Sequence, residues 1–154
     1  MSNMLPIKER TILTMRSAAA GILFVGGSFL FIRGFGIGGG AESSPHVFPG
    51  VVIGTCGLLG CAAASFVAPP RTGMKLFGSA SDVVSLLGFV LSAIGLFRLS
   101  LFPDTSPLGP DGNALVNALR IRFWIIFGPL SLIVLFVRRR LRIGRRLPAK
   151  HQAC

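Results

Sequence analysis

The chain has 154 residues, of which 51% are hydrophobic and only 14% are charged, and its mean hydropathy is +0.71. A soluble domain of this size has too little interior to bury so much apolar surface, which argues against a soluble globular protein. The net charge of +11 does not indicate nucleic-acid binding, because the basic residues flank apolar blocks and are not interleaved with aromatic residues.

The first apolar block runs from Ser17 to Ile32 and, with its flanks, predicts a membrane span over about residues 17–33. A basic segment precedes it, so a signal peptide is the alternative, and we expect a retained span. One face of this helix alternates small and large side chains, which is typical of a packed interface: Ala20, Phe24, Gly27, Phe31 and Gly34. The glycine-rich segment 34–40 predicts a flexible exit from the bilayer, since a phosphate-binding loop would follow a strand.

The second span, about residues 48–68, is bounded by Phe48-Pro49-Gly50 and by Pro69-Pro70. Pro49 suits a first helical turn, where its missing N–H has no intrahelical partner. Small residues recur at steps of four and three, which lets another helix approach closely in lipid. This α2 row consists of Gly50, Gly54, Gly57, Cys61 and Ala64. Cys56 and Cys61 fall on different faces of the helix, which excludes a disulfide between them.

The third span, about residues 82–102, follows a polar joint over residues 69–81. A second row of small residues, the α3 row, repeats the same steps: Ser85, Gly88, Ser92 and Gly95. Its hydroxyl groups are expected to hydrogen-bond across a helix contact. We predict that the two rows pack against each other, with a contact to another subunit as the alternative. Arg98, about one turn from the boundary, is expected to reach the headgroups.

The fourth span, about residues 119–137, has only fifteen uncharged residues after Arg122. The preceding segment 102–113 is rich in Pro and Gly and predicts a loop, and residues 114–122 predict a short interfacial helix. Pro129 is expected to kink the span. A basic tail follows over residues 138–154.

The distribution of basic residues predicts the orientation. Twelve of the 16 Lys and Arg residues lie in the amino-terminal segment, the second joint and the tail. The positive-inside rule then places both termini in the cytoplasm, in agreement with an even number of spans. The sequence thus predicts an all-α membrane protein, a single helical membrane domain with four transmembrane helices and a tail attracted to anionic lipid headgroups.

The few acidic residues lie outside the predicted spans or at their edges: Glu9, Glu42, Asp82, Asp104 and Asp111. Proton relays and cation sites place carboxylates inside a bundle, and Ser85 and Ser92 have no nearby base to activate them. We therefore predict no catalytic, metal or cofactor site, no enzyme activity and no ion-coupled transport by the chain alone. A partner subunit or a scaffold fits better.

Three segments support a family resemblance. Met15-Arg16 leads into a Gly/Leu/Phe-rich first span, and Phe48-Pro49 opens the second span after a Gly-rich loop. Near the end, Phe136-Val137-Arg138 is followed by Leu147-Pro148. In these places the chain resembles the small membrane subunit of the tripartite tricarboxylate transporters of bacteria.

This resemblance implies a multi-pass protein of the bacterial inner membrane. Its partners would be a large multi-span transport subunit and a periplasmic substrate-binding protein, in a carboxylate uptake system driven by an ion gradient. The small subunit would stabilise or orient the large one. The alternative is a structural accessory subunit of a respiratory, photosynthetic or secretion complex. A third class, a homo-oligomeric channel, has only Ser85 and Ser92 in its favour.

Overall fold

Four α-helices make up the part of the chain that the computed structural model describes, which is residues 7–39, 46–69, 72–102 and 109–144. They are α1 (Ile7–Gly39), α2 (Val47–Val67), α3 (Thr72–Leu101) and α4 (Gly109–Gly144), and no strand occurs in these ranges. Each contains a segment long and apolar enough to cross a membrane. The prediction of an all-α, four-span membrane protein is confirmed.

The helices pack mainly as two pairs, α1 against α2 and α3 against α4, with α2 also touching both members of the second pair. Each helix runs opposite to the one before it. The basic end of the bundle, as we call it, therefore holds the start of α1, the end of α2, the start of α3 and the end of α4. Contacts there join Arg16 to Val67 and Asp82 to Arg138. At the opposite end, Gly38 meets Gly50 and Gly95 meets Trp124.

An aromatic cluster fills the interior towards the opposite end. Phe123 and Phe127 of α4 are fully buried and stacked, with ring centroids 5.4 Å apart. Phe35 of α1 meets Phe127 edge-on at 5.0 Å and Trp124 at 5.2 Å, and Phe31 completes the cluster. Such offset and edge-on geometries are the favourable ones for aromatic rings. The cluster joins α1 to α4 across the end of the bundle.

The first helix continues through the glycine-rich segment that the sequence predicts to be a flexible exit. That prediction is wrong for residues 34–39. Glycine is a poor helix former because of its conformational entropy, but here neighbouring side chains and backbone occupy the space beside the glycines. A Cβ on Gly39 would lie 2.7 Å from the Trp124 ring. Gly34 abuts the backbone of α2, and Gly38 abuts the Phe123 ring. Tertiary contacts therefore stabilise a helix that local propensity disfavours.

The third and fourth helices also begin earlier than predicted. Residues 72–81, predicted to belong to a polar joint, form the first turns of α3. The expected interfacial helix and fourth span belong to one continuous helix of 36 residues, which also includes residues 109–113, wrongly predicted to be a loop, and residues 138–144 of the predicted tail. Pro110 stands in its first turn, where proline is tolerated. At 1.5 Å per residue α4 is about 54 Å long, so its charged ends project beyond a hydrocarbon core of about 30 Å.

Candidate functional site

The α2 row lies against α1. A Cβ built on Gly50 would stand 2.6 Å from the Gly38 Cα, and one on Gly57 would stand 2.6 Å from the Gly27 carbonyl oxygen. Gly34 in turn abuts the backbone of Gly54. At these positions backbone touches backbone, and any side chain would force the helices apart. The close approach provides the dispersion contacts that hold helices together in lipid.

The rest of the α2 row is buried as well. Gly54 faces the Phe127 ring of α4, with a hypothetical Cβ 2.6 Å from it. Cys61 is 1% exposed, and its thiol lies 3.6 Å from the Ser28 hydroxyl and 3.7 Å from the Phe24 carbonyl oxygen of α1. Ala64 is completely buried. Cys56 is exposed on another face, so the two thiols are free, as expected.

The α3 row lies against α4. A Cβ on Gly88 would meet the Ser131 hydroxyl at 2.8 Å, and one on Gly95 would meet the Trp124 indole at 2.6 Å. Ser85 and Ser92 are buried. The Ser92 hydroxyl donates to the Gly88 carbonyl oxygen, 2.8 Å away in its own helix, so the expected bond across the contact is not formed by Ser92.

The two rows therefore do not pair with each other, and that prediction is wrong. The α2 row packs mainly against α1, with Gly54 also facing α4, and the α3 row packs mainly against α4. The reason lies in α1, whose Gly27, Gly34 and Gly38 form a third row at steps of seven and four. Glycine against glycine permits a closer approach than glycine against serine. Gly38 lies outside the predicted first span, in a segment whose composition predicts a loop, so the sequence does not indicate its role in packing.

The family-like motif stands at the start of α2. Phe48 is 79% exposed and Pro49 is also exposed, both in the first turn after the N-cap residue His46. Pro49 thus occupies the helical turn predicted for it. The Gly50 amide, one residue later, donates to the His46 carbonyl oxygen at 3.0 Å. Phe48 makes no contribution to the interior and its ring faces outward.

An ion pair between α3 and α4 is the polar feature that the sequence does not reveal. A guanidinium nitrogen of Arg138 donates to Asp82, and the side chain of Arg138 is only 3% exposed. Arg139 lies farther from the same carboxylate, at 3.6 Å, and is 59% exposed. Gly78, one turn before Asp82, lies beneath the guanidinium groups of Arg138 and Arg142.

This pair changes the interpretation of both partners. The sequence predicts Asp82 at the edge of a span and Arg138 at the start of a basic tail, whereas the structure joins them in one contact that buries Arg138 and leaves Asp82 partly exposed. Because 56 positions separate the two residues, no local sequence pattern indicates that they pair. The sequence feature that could indicate the pair is the position of Asp82. It is the acidic residue closest to the apolar part of the third span, where a charge needs a partner.

Within the described ranges, no three His, Cys, Asp or Glu residues lie close enough together to hold a metal ion. Several described polar groups take part in helix packing: the Ser92 and Ser131 hydroxyls donate within their own helices, and Arg138 joins α4 to Asp82 of α3. No family model, curated protein or solved structure matches this chain.

Proposed function

We propose that the protein is a non-catalytic small membrane subunit that stabilises or orients a larger transport subunit. In the form that the sequence resemblance implies, the complex takes up carboxylated substrates from a periplasmic binding protein and uses an ion gradient. The protein would reside in the bacterial inner membrane with both termini in the cytoplasm. This proposal combines the resemblance with the packing of the bundle.

The observation that carries the proposal is how the described interior is filled. Glycine rows bring backbones into contact, and the aromatic cluster occupies the space between α1 and α4. Among the buried polar side chains, Ser92 bonds to its own helix and Arg138 joins α4 to α3. A bundle of this kind favours a structural role in the membrane over a transport path of its own.

The outward faces supply surface for a partner. One face of α1 presents a stripe of exposed apolar side chains at helical spacing: Ile22, Val25, Phe29 and Ile32. In a membrane such a stripe is covered either by lipid or by a span of another protein. Its regular spacing suits a helix-to-helix contact.

Isolation of the complex tests the proposal. The tagged protein is purified in mild detergent from the bacterium that encodes it, and bound proteins are identified by mass spectrometry. We expect one large multi-span protein encoded beside this chain, and loss of carboxylate uptake when the gene for the small subunit is deleted. A redox or secretion complex as the partner, or unchanged uptake after deletion, would contradict the proposal and favour the alternative accessory role.

A further inference from the structure

An apolar groove runs between α2 and α4 at the basic end of the bundle. It has a volume of about 450 Å³ and is bordered by Leu59, Ala63 and Phe66 of α2 and by Val137, Arg138 and Leu141 of α4. Along α4 it extends from Ile133 to Leu141, a rise of eight residue steps or about 12 Å. One leaflet contributes about 15 Å to the hydrocarbon core. The groove therefore covers most of one leaflet.

The end of the groove is positively charged. Arg138 borders it with its side chain almost fully buried, and the Nε of this arginine has no hydrogen-bond acceptor. Arg142 follows one turn later, next to Leu141. On the α2 side, the Nε of Arg16 donates to the carbonyl oxygen of Val67 at 3.1 Å, one residue beyond Phe66. Arg138 thus borders the end of the groove, and Arg16 and Arg142 lie close to it, with the Arg142 guanidinium over Gly78 of α3.

Among the described residues at this end, carboxylates are fewer than basic side chains. Asp82 pairs with Arg138 and lies 3.6 Å from Arg139, and Glu9 is on the exposed start of α1. The basic residues among the described part of this end are more numerous: Arg10, Arg16, Lys75, Arg138, Arg139, Arg140 and Arg142. An anionic group at the end of the groove would meet net positive charge. Arginine is also the side chain best suited to phosphate, because its planar fork donates two parallel hydrogen bonds.

We propose that this groove binds one anionic phospholipid from the leaflet at the basic end. One acyl chain lies between α2 and α4, and the headgroup phosphate lies at Arg16 and Arg142. The charge at the end of the groove favours an anionic lipid over an apolar helix of a partner protein, because a lipid brings a phosphate to these arginines and an apolar helix does not. The proposal does not depend on the identity of any partner subunit.

Lipid retention tests the proposal. The purified full chain is placed in nanodiscs containing equal amounts of dioleoyl phosphatidylglycerol and dioleoyl phosphatidylcholine, whose acyl chains are identical. After exchange into detergent, the lipids retained per chain are counted by mass spectrometry. We expect about one phosphatidylglycerol per chain and an excess of roughly tenfold over phosphatidylcholine, since each basic residue near the surface contributes to anionic-lipid binding. Equal retention of the two lipids would overturn the proposal.

Variants that fill the groove leave every charge in place. Ala63→Phe, and independently Leu59→Trp, should lower phosphatidylglycerol retention by about tenfold, because the acyl chain loses its contact surface. Ala18→Phe is the matched control, because Ala18 is an exposed alanine on α1 near the basic end of the bundle. This variant should retain the lipid. Retention that is unchanged in both filled variants would show attraction to the basic tail without a groove site. A partner helix found in the groove by cross-linking at Leu59 would overturn the proposal as well.

Charge variants test the headgroup contact. Arg16→Gln combined with Arg142→Gln should lower the preference for phosphatidylglycerol over phosphatidylcholine by roughly tenfold or more. The control, Arg33→Gln combined with Arg122→Gln, removes the same charge from exposed residues at the opposite end and should leave the preference intact. An equal loss in both pairs would mean that net charge alone sets the preference, and the assigned phosphate position would be wrong.

Discussion

At the scale of single residues, the buried pair of Asp82 and Arg138 is the most consequential polar contact. Moving a charge out of water is costly, and the partner charge repays that cost only when the pair stays intact. Arg138 is 3% exposed and Asp82 is 22% exposed, so the arginine depends on the pair more than the carboxylate does. Arg139 has the same charge but lies in solvent or headgroups, where ion pairs contribute little.

Asp82→Asn should therefore lower the free energy of unfolding by about 2–3 kcal/mol, somewhat less than the cost of breaking a fully buried pair, because the carboxylate is partly exposed. Unfolding by sodium dodecyl sulfate from mild detergent micelles, followed by Trp124 fluorescence, provides the measurement.

Two further variants serve as controls for this prediction. Arg139→Gln should change the free energy by less than about 0.5 kcal/mol. Asp82→Leu combined with Arg138→Leu should recover most of the loss, since an apolar pair of similar size leaves no unpaired charge. If Arg139→Gln and Asp82→Asn were equally destabilising, the buried pair would not be the cause.

At the scale of helices, the glycine rows determine which elements pair. The α2 row was recognisable from its steps of four and three, but its partner was not. Pairing is decided by shape, and the row that fits closest is the glycine row of α1. This row ends at Gly38, which lies beside Gly39 in a segment with the composition of a loop. Helix propensity describes an isolated chain, whereas the Phe123 and Trp124 rings fill the space above these glycines. The bounds of α1 therefore could not be predicted from local sequence.

Gly54→Leu combined with Gly57→Leu should separate α1 from α2 and lower the free energy of unfolding by about 3 kcal/mol or more, at the upper end of the cost of overpacking. The leucine side chains would collide with the Phe127 ring and the Phe31 backbone. The same detergent unfolding assay measures the loss.

The matched control is Gly21→Leu combined with Gly26→Leu. A Cβ at either of these glycines has no neighbour within 4 Å, so the added side chains enter open space on the lipid side. We expect no destabilisation, and a slight gain is consistent with the better helix propensity of leucine. If the two double substitutions were equally destabilising, the close glycine contacts would not be the source of the stability.

At the scale of the whole molecule, composition and block pattern predict the architecture well. Four apolar blocks separated by polar joints become four membrane-length helices, because every backbone polar group in lipid must be satisfied within its own helix. Composition and block pattern do not predict the long-range contacts, such as the one between Asp82 and Arg138, which are 56 positions apart. The bundle also brings basic residues from α1, α3 and α4 to one end. We propose, by the positive-inside rule, that this end faces the cytoplasm.

The accessibility of single cysteines to a membrane-impermeant thiol reagent tests the four-span topology most directly. In a Cys56→Ala, Cys61→Ala background, Cys154 is compared with Ser44→Cys and Ser106→Cys, each in a chain lacking Cys154. We expect the reagent to label the cysteines at positions 44 and 106 in intact cells, and Cys154 only after the membrane is opened. Labelling of Cys154 in intact cells, or protection of either introduced cysteine, would contradict four spans with cytoplasmic termini.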